Sequence, residues 1–146
     1  MTAILIDDHL LLQVLLGAAP ADLPDDTSLA TTGLWYHRLC RALANDAVVG
    51  ALSRQLGGVD EAVARSVVNA VIDLPDNIDV ISLRALGWPM AKLAADGRRL
   101  NLLSLEALAA AQSLSAELWL SPASRDSPLH TEAPNADVPV RIIGQG

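Results

Sequence analysis

The sequence predicts an α/β domain built on a central parallel sheet of four or five strands flanked by helices. Short apolar runs, which favour buried strands, alternate along the chain with longer stretches in which apolar residues recur at helical spacing. This alternation is the pattern of a parallel sheet covered by helices. A chain of 146 residues is long enough to bury one hydrophobic core. We therefore expect a single domain over residues 1–146.

The predicted strands are short apolar or β-branched runs bounded by polar or turn-forming residues. The first, AILI, is continuous apolar sequence that stops at Asp7 and Asp8. A loop rich in Ala, Pro and Asp precedes the second, and the turn Leu74-Pro75-Asp76-Asn77 precedes the third. The predicted strands cover residues 3–6, 28–31, 78–83, 116–120 and 138–143.

The predicted helices begin at capping residues and show apolar side chains on one face. Asp7 or Asp8 is placed to cap the first helix, Asp60 caps DEAVARSVVNAVI, and Pro89 lies in the first turn of WPMAKLAA. The loop over residues 121–137 has room for one turn of helix. The predicted helices cover residues 8–16, 34–43, 47–56, 60–72, 88–95 and 103–114.

Composition narrows the classes of partner and compartment. The formal net charge is -7, which argues against tight nonspecific binding of nucleic acid, because that affinity comes largely from Lys and Arg on phosphates. No apolar stretch reaches the roughly 18 residues of a membrane span, and no basic region precedes the first apolar run. Cys40 is the only cysteine, so no internal disulfide can form, and we expect a cytoplasmic protein.

Ligands of parallel α/β sheets bind at the carboxyl ends of the strands. The residues that follow predicted strands at this edge are Asp7-Asp8, Thr31-Thr32 and Ser121-Pro122. The opening ILIDDHLLL resembles a response-regulator receiver domain, whose chemistry needs a lysine just past the last strand. The only lysine here, Lys92, lies inside a predicted helix, and Asp73 lies too far along the chain to be the phosphoacceptor. The receiver interpretation is therefore rejected.

A better resemblance is to the PIN domain of VapC-type toxin ribonucleases, and it extends over nearly the whole chain. AILIDDHLLLQVLLG resembles the family's opening strand, TGLWYHRLCRAL its second conserved helix, and VPVRII its closing strand. NIDVISLRALGWPMAKLAADGRRLNLLSLEALAAAQSLSAELWLSPA is similar to the strand, two helices and strand of its second half. The resemblance implies a three-layer sandwich, and cleavage of RNA by three or four carboxylates that hold Mg²⁺ or Mn²⁺.

When each metal-binding acid of the family is matched to its position in this sequence, most of these positions hold another type of residue. The first falls on Asp7, but the second falls on Arg38, the third on Ser104 and the fourth on Pro122. We expect the Arg38 guanidinium to pair with Asp7 and to repel a divalent cation. Asp7 is otherwise expected to cap the first helix.

Three other acids are weak candidates as substitute ligands. Asp8 is adjacent to Asp7 in the sequence, and its side chain is expected to point in a different direction from that of Asp7. Glu106 lies two residues past Ser104, about 200° round a helix, and so points away from the face of Ser104. Asp126 lies in a predicted loop.

A basic group on the second predicted helix is the candidate binding surface. His37, Arg38 and Arg41 share part of one helix surface near the edge that carries Asp7, where they are placed to hold a phosphate. The alternative is a solvated face with Arg38 bonded to Asp7. His9, next to the two acids, is expected to be a capping or surface residue.

The sequence leads to one expected function and two alternatives. We expect a non-catalytic PIN-like domain without a cofactor, which binds a second copy or another protein, with RNA as a further candidate partner and no membrane or DNA partner. The first alternative is a VapC-type endoribonuclease that uses Mg²⁺ or Mn²⁺ with Asp7, Asp8 and substitute acids. The second is a small-molecule-binding protein, which requires a roomy pocket over the strand ends with convergent polar groups.

Overall fold

Five parallel strands form the centre of the protein in a computed structural model that describes residues 3–24, 27–45, 58, 60–98 and 100–143. The strands are β1 (Ala3–Ile6), β2 (Ser28–Thr32), β3 (Ile78–Ile81), β4 (Glu117–Leu120) and β5 (Val140–Ile142). They lie in the order β3-β2-β1-β4-β5, and each neighbouring pair is parallel. The predicted α/β class with a central parallel sheet is confirmed.

Six α-helices and a short 3₁₀ helix flank this sheet within the described residues. The α-helices are α1 (Asp8–Leu15), α2 (Gly33–Asn45), α3 (Glu61–Ile72), α4 (Leu83–Ala95), α5 (Leu102–Leu114) and α6 (Pro128–Asn135). The 3₁₀ helix covers Pro122–Ser124 and directly follows the end of β4. The predicted helix over residues 47–56 lies outside the described residues.

The two faces of the sheet pack into two separate hydrophobic clusters. Along β1, Leu5 belongs to the cluster that includes α4, α5 and α6, whereas Ile4 and Ile6 belong to the cluster that includes α1 and α3. This split follows from the period of two in a strand, which sends successive side chains to opposite faces. Both faces are therefore covered, as expected for a parallel sheet.

The strand after the Leu74–Asn77 turn is shorter than predicted, and the helix after it is longer. The prediction had a strand over residues 78–83 and a helix from Trp88, but β3 ends at Ile81 and α4 begins at Leu83. The Ser82 side chain accepts a hydrogen bond from the Arg84 N–H and caps the helix. Pro89 consequently lies inside α4 rather than in its first turn.

The loop predicted after the fourth strand is more ordered than expected. In place of one turn of helix it contains the 3₁₀ helix and all eight residues of α6. The Ser127 hydroxyl accepts from the Leu129 N–H, and Pro128 occupies the first helical position, where it needs no hydrogen-bond donor. Leu129 and Ala133 bury the inner face of α6 in the core.

The chain reverses direction across the sheet next to its central strand. It runs outward from β1 through β2 to β3 and then returns to place β4 on the other side of β1. Such a reversal opens a crevice at the carboxyl ends of the two strands that flank it, and ligands of open α/β sheets bind there. In this chain, Asp7 follows β1 and Ser121 follows β4 at that point.

No helix in the described segments has the length and apolar character needed to cross a lipid bilayer.

Candidate functional site at the carboxyl edge of the sheet

Asp7 lies at the centre of this edge and is completely buried. It is the N-cap of α1, and its Oδ1 accepts a hydrogen bond from the Leu10 N–H at 2.9 Å. Its Oδ2 accepts three more, from the Ser121 N–H at 2.9 Å and from the hydroxyls of Ser121 and Ser124 at 2.7 Å each. Each carboxylate oxygen offers about two lone-pair positions, so the three donors saturate Oδ2, while Oδ1 is bound to the first turn of α1.

The serines follow from the local structure at the end of β4. Ser121 is the N-cap of the 3₁₀ helix and Ser124 is its last residue, so one tight turn directs both hydroxyls toward Asp7. In the family that the sequence resembles, an acid stands at this end of the strand, where Pro122 lies in this chain. The loop thus supplies two hydroxyl donors and one backbone donor to Asp7.

Asp8 forms an ion pair with Arg38, and the prediction that Arg38 pairs with Asp7 is wrong. The Arg38 Nε donates to Oδ2 of Asp8 at 2.6 Å and its Nη2 donates to Oδ1 at 2.7 Å, a bidentate arrangement. Asp7 is held by the α1 cap and the β4 loop, whereas Asp8, the first residue of α1, forms its ion pair with α2. These hydrogen bonds, together with the charge of Asp8, raise the pKa of the Arg38 guanidinium.

Glu106 is also buried, but it serves the start of a helix rather than the strand-end crevice. Its Oε1 accepts from the Leu34 N–H at 2.8 Å, while the Thr32 hydroxyl accepts from the Trp35 N–H at 3.1 Å. These two side chains satisfy free amides in the first turn of α2, and the negative charge also suits the positive end of the helix dipole. The sequence separation of 72 residues between Glu106 and Leu34 leaves no local signal from which to predict this cap.

The remaining sequence candidates lie on the surface. Asp126 is exposed in the turn between the 3₁₀ helix and α6, and His9 is exposed in the first turn of α1. His37 and Arg41 are exposed on α2, beside the half-buried Arg38 guanidinium. The three residues of the predicted basic group therefore share a helix, but two donor groups of Arg38 are already bound to Asp8.

A recess of about 400 Å³ opens between the starts of α1, α5 and α6 and the side of α2. Ser104 lies in its wall, with its N–H bound to Oδ1 of Asn101 and its hydroxyl 3.4 Å from that of Ser127. Glu106 does not line this recess. The polar lining consists of Asp8, His9, Arg38, Asn101, Ser104, Ser124 and Ser127, and the apolar lining of Trp35, Ala42, Leu103, Ala123, Pro128 and Leu129.

The recess includes residues that the sequence pattern did not single out as site residues, notably Asn101, Ser124 and Ser127. Asn101 and Ser127 are N-caps of α5 and α6. A capping residue is recognisable in sequence, because Asn and Ser before an apolar run favour that position. That two caps from distant segments meet at one recess is a property of the tertiary fold.

The donor set at this edge does not fit a resident Mg²⁺ or Mn²⁺ ion. Such cations require several oxygen ligands, most of them anionic and free to coordinate. Here the Asp7 oxygens are bound by protein donors, and both Asp8 oxygens are bound by Arg38. Across the described segments, no group of three or more His, Cys, Asp or Glu side chains is arranged to hold a metal ion.

The architecture and this edge define a PIN-like α/β domain whose strand-end carboxylates are engaged by other groups of the same chain. A chain of the 2.2 Å structure of VapBC-1 from nontypeable Haemophilus influenzae has a similar fold, with a TM-score of 0.51 and 13% sequence identity. The match covers 97% of this chain and 98% of that chain. No family model matches the sequence, and no curated protein matches it. At this identity the likeness concerns the fold alone.

Proposed function

We propose that this protein is a non-catalytic PIN-like domain that acts by binding a protein partner. The observation that carries the proposal is the set of four hydrogen bonds to Asp7, the one family acid that the sequence retains. A carboxylate in that state stabilises the junction of β1, α1 and the β4 loop. Its Oδ2 is saturated by three donors, and its Oδ1 is buried against the α1 N-terminus, so a catalytic cation would have to displace these donors to bind.

Electrostatics supports the same conclusion. Asp7 and Asp8 together carry two negative charges and Arg38 carries one positive charge, so the local sum is -1. Serine hydroxyls, which are neutral, stand in the place of further acids. A divalent cation would gain little attraction from this cluster and would be repelled by the guanidinium. The alternative, a metal-dependent endoribonuclease using Asp7, Asp8, Glu106 or Asp126, also requires Glu106 to abandon the α2 amide that it caps.

The recess beside this cluster favours a protein partner over a nucleic acid. Its lining combines hydroxyls with apolar surface from Trp35, Leu103 and Leu129, and the Arg38 guanidinium, the one that the described residues place there, is already paired. Such a lining suits a side chain or a short extended segment of a protein better than it suits a phosphate. Association of the toxin–antitoxin kind, implied by the resemblance to VapC-type proteins, is one form that this binding takes in our proposal.

Titration with Mn²⁺ tests the proposal. Isothermal calorimetry of the wild-type chain is expected to show no site-specific heat up to millimolar Mn²⁺, and Asp126→Asn, an exposed control, is expected to behave identically. The variant Arg38→Glu releases Asp8 and adds a carboxylate beside it, so it is expected to gain measurable Mn²⁺ binding. Stoichiometric binding by the wild-type chain that Asp8→Asn abolishes would defeat the non-catalytic proposal, as would Mn²⁺-dependent cleavage of RNA with the same dependence.

Binding of RNA through His37, Arg38 and Arg41 is the secondary part of the proposal. Fluorescence anisotropy with single-stranded RNA is expected to show weak binding with a shallow dependence on salt concentration, because only a few phosphates are neutralised. Arg41→Ala should weaken it, whereas Arg65→Ala, an exposed arginine on α3, should not. Equal effects of the two substitutions would show that the basic group on α2 is not an RNA site.

A small-molecule-binding function is the second candidate, and one observation favours it. The recess of about 400 Å³ at the strand ends falls within the range of typical ligand sites. The Arg38–Asp8 ion pair, however, occupies part of the edge and leaves fewer convergent polar groups for a ligand. Native mass spectrometry of the purified protein distinguishes the two, since this candidate alone predicts a bound small molecule at stoichiometric occupancy.

A further inference from the structure

The recess at the strand ends presents more hydrogen-bond donors than acceptors to a ligand. Asn101 and Ser127 cap α5 and α6, so the Asn101 Oδ1 and the Ser127 Oγ each already accept a bond from a backbone N–H. What these two side chains still offer is the Asn101 NH₂ group and the Ser127 hydroxyl hydrogen, which donate. Both carboxylate oxygens of Asp8, which also lines the recess, are bound by Arg38. A ligand that matches this lining therefore has to supply acceptors.

Ser104 lies in the wall of the same recess, and its hydroxyl is poorly satisfied. The residue is only 3% exposed. Among the described residues, the one hydrogen-bonding contact of its hydroxyl is with the Ser127 hydroxyl at 3.4 Å, which is longer than the roughly 2.5–3.0 Å of an O–H···O hydrogen bond. A buried hydroxyl without a good partner is costly. An acceptor that reaches both hydroxyls would remove this cost.

The charges around the recess favour an anionic acceptor. Asp8 and Arg38 form an ion pair that sums to zero. Asp7 is completely buried, is bound by four donors and does not line the recess. The capped starts of α5 and α6 both lie in the wall, and each helix start carries a positive partial charge of roughly half a unit. Helix starts of this kind attract anions.

We propose that the recess binds the carboxylate of an aspartate or glutamate side chain of the protein partner. Its donors are the Ser104 and Ser127 hydroxyls and the Asn101 amide. The inference rests on the proposed function, because it names the chemistry of the partner at the same recess. Leu103 and Leu129 lie beside these donors and suit the apolar stem of an acidic side chain. A residue of a protein therefore fits the recess better than a free small acid or a phosphate does.

Two peptides that differ only in the charged group test this preference. One is a tripeptide with glutamate between two glycines, blocked at both ends, and the other has glutamine in place of glutamate. NMR titration of the ¹⁵N-labelled chain, in buffer without divalent cations, follows the amide signals of Leu103, Ser104 and Leu129. The glutamate peptide is expected to bind with a dissociation constant on the order of 1 mM, as is usual for so small a ligand. It is expected to bind about tenfold more tightly than the glutamine peptide, because hydrogen bonds to a carboxylate are stronger than those to an amide.

Acetate and inorganic phosphate distinguish the sources of the anion. Both are expected to bind more weakly than the glutamate peptide, since neither has an apolar stem. Equal binding of the two peptides would overturn the proposal. Acetate binding as tightly as the glutamate peptide would overturn it in favour of a free acid, and tighter binding of phosphate would overturn it in favour of a phosphate ligand such as RNA.

Substitutions on α5 test the residues of the recess. Ser104→Ala should weaken binding of the glutamate peptide about fivefold, and Ser104→Asp should abolish it because the two carboxylates repel each other. Ser113→Asp is the matched control, since it adds the same charge at an exposed position near the other end of the helix, and it should keep the affinity within about twofold. If Ser104→Asp does not fold, Ser127→Ala replaces it, with an expected loss of about fivefold. Equal effects of Ser104→Asp and Ser113→Asp, or no effect of Ser127→Ala, would overturn the proposal.

Failure of this inference and failure of the proposed function give different results. Site-specific binding of Mn²⁺ by the wild-type chain defeats the proposed function. Equal binding of the glutamate and glutamine peptides without metal defeats the carboxylate site alone.

Discussion

Replacing Asp7 by Asn should destabilise the fold substantially, and the sign of that effect separates the two interpretations of this residue. Asn has one accepting oxygen in place of two, and its amide nitrogen can only donate. Whichever way the side chain turns, the NH₂ group faces either the Leu10 N–H or the donors of Ser121 and Ser124. The less costly orientation keeps the oxygen toward the serines and gives up the helix cap.

The magnitude follows from the contacts. Loss of an N-cap hydrogen bond costs about 1 kcal/mol. Each of the three remaining bonds changes from a charged to a neutral acceptor, which lowers its contribution by roughly 1 kcal/mol. The expected loss is therefore about 4 kcal/mol, a large part of the roughly 5–15 kcal/mol that stabilises a typical domain. If Asp7 instead belonged to a cluster of free metal ligands, removal of its charge would relieve repulsion, and stability in the absence of metal would rise.

Urea denaturation followed by tryptophan fluorescence measures this difference. At a slope of roughly 1.5–2 kcal/mol per molar urea, the midpoint of Asp7→Asn should fall by about 2 M with little change in slope. Asp126→Asn, on the exposed turn, should stay within about 0.5 kcal/mol of wild type. If Asp7→Asn does not fold, Ser124→Ala gives the graded measurement, with an expected loss of about 1–2 kcal/mol. A loss of less than 1 kcal/mol for Asp7→Asn, or a gain, would refute the structural role of this carboxylate.

Three further predictions concern Tyr36 on α2 and two of the buried carboxylates, Glu106 and Asp8. Tyr36 is the only tyrosine, and burial, with the side-chain hydrogen bond to Cys40 as the second cause, raises the pKa of its hydroxyl above the ordinary value of 10.0. In a pH titration followed by absorbance near 295 nm, the midpoint of Tyr36 ionisation should therefore be higher in the native chain than in the urea-unfolded chain. The stability that Tyr36 contributes should be complete below about pH 10 and should be lost as the pH rises through the folded pKa. Glu106→Ala leaves the Leu34 N–H without its acceptor and should lower the free energy of unfolding in urea by about 2–4 kcal/mol. Glu106→Gln should lower it by about 1 kcal/mol. Equal losses for the two variants would show that the cap is unimportant. A double-mutant cycle of Asp8→Asn and Arg38→Gln should give a coupling free energy of about 1 kcal/mol in urea denaturation. This coupling should decline as salt concentration rises, since Arg38 is half exposed. A coupling of zero would mean that the ion pair does not form in solution.

The order of elements was predictable because it depends on local patterns. Continuous apolar sequence in AILI predicted β1, and β1 lies there. The cap at Asp60 and the helical spacing of Val67 and Val71 predicted α3, and α3 lies there as well. The boundary at Leu83 was missed because Pro89 favours the first turn of a helix and so predicted a start there, whereas the helix begins at the Ser82 cap.

The candidate site was predictable in part, and the error concerned which of the two adjacent acids binds Arg38. That Asp7 would cap α1 followed from its position next to a helix, and the structure has this cap. The partner of Arg38 did not follow, since Asp7 and Asp8 are adjacent and their directions depend on where the strand ends and the helix begins. Arg38 binds Asp8, and the carboxylate of Asp7 is directed to Ser121 and Ser124 instead.

The sequence by itself determined the fold class, the placement of Asp7 at a strand end and the scarcity of acids that are able to join it there, because these depend on residue type and on short-range periodicity. Only the tertiary structure decided which groups satisfy the buried carboxylates. Asp7 binds a loop more than a hundred residues away, and Glu106 caps a helix 72 residues away. The physical reason is that a buried charge must be matched by donors wherever the packed chain brings them, and no local pattern specifies that distance.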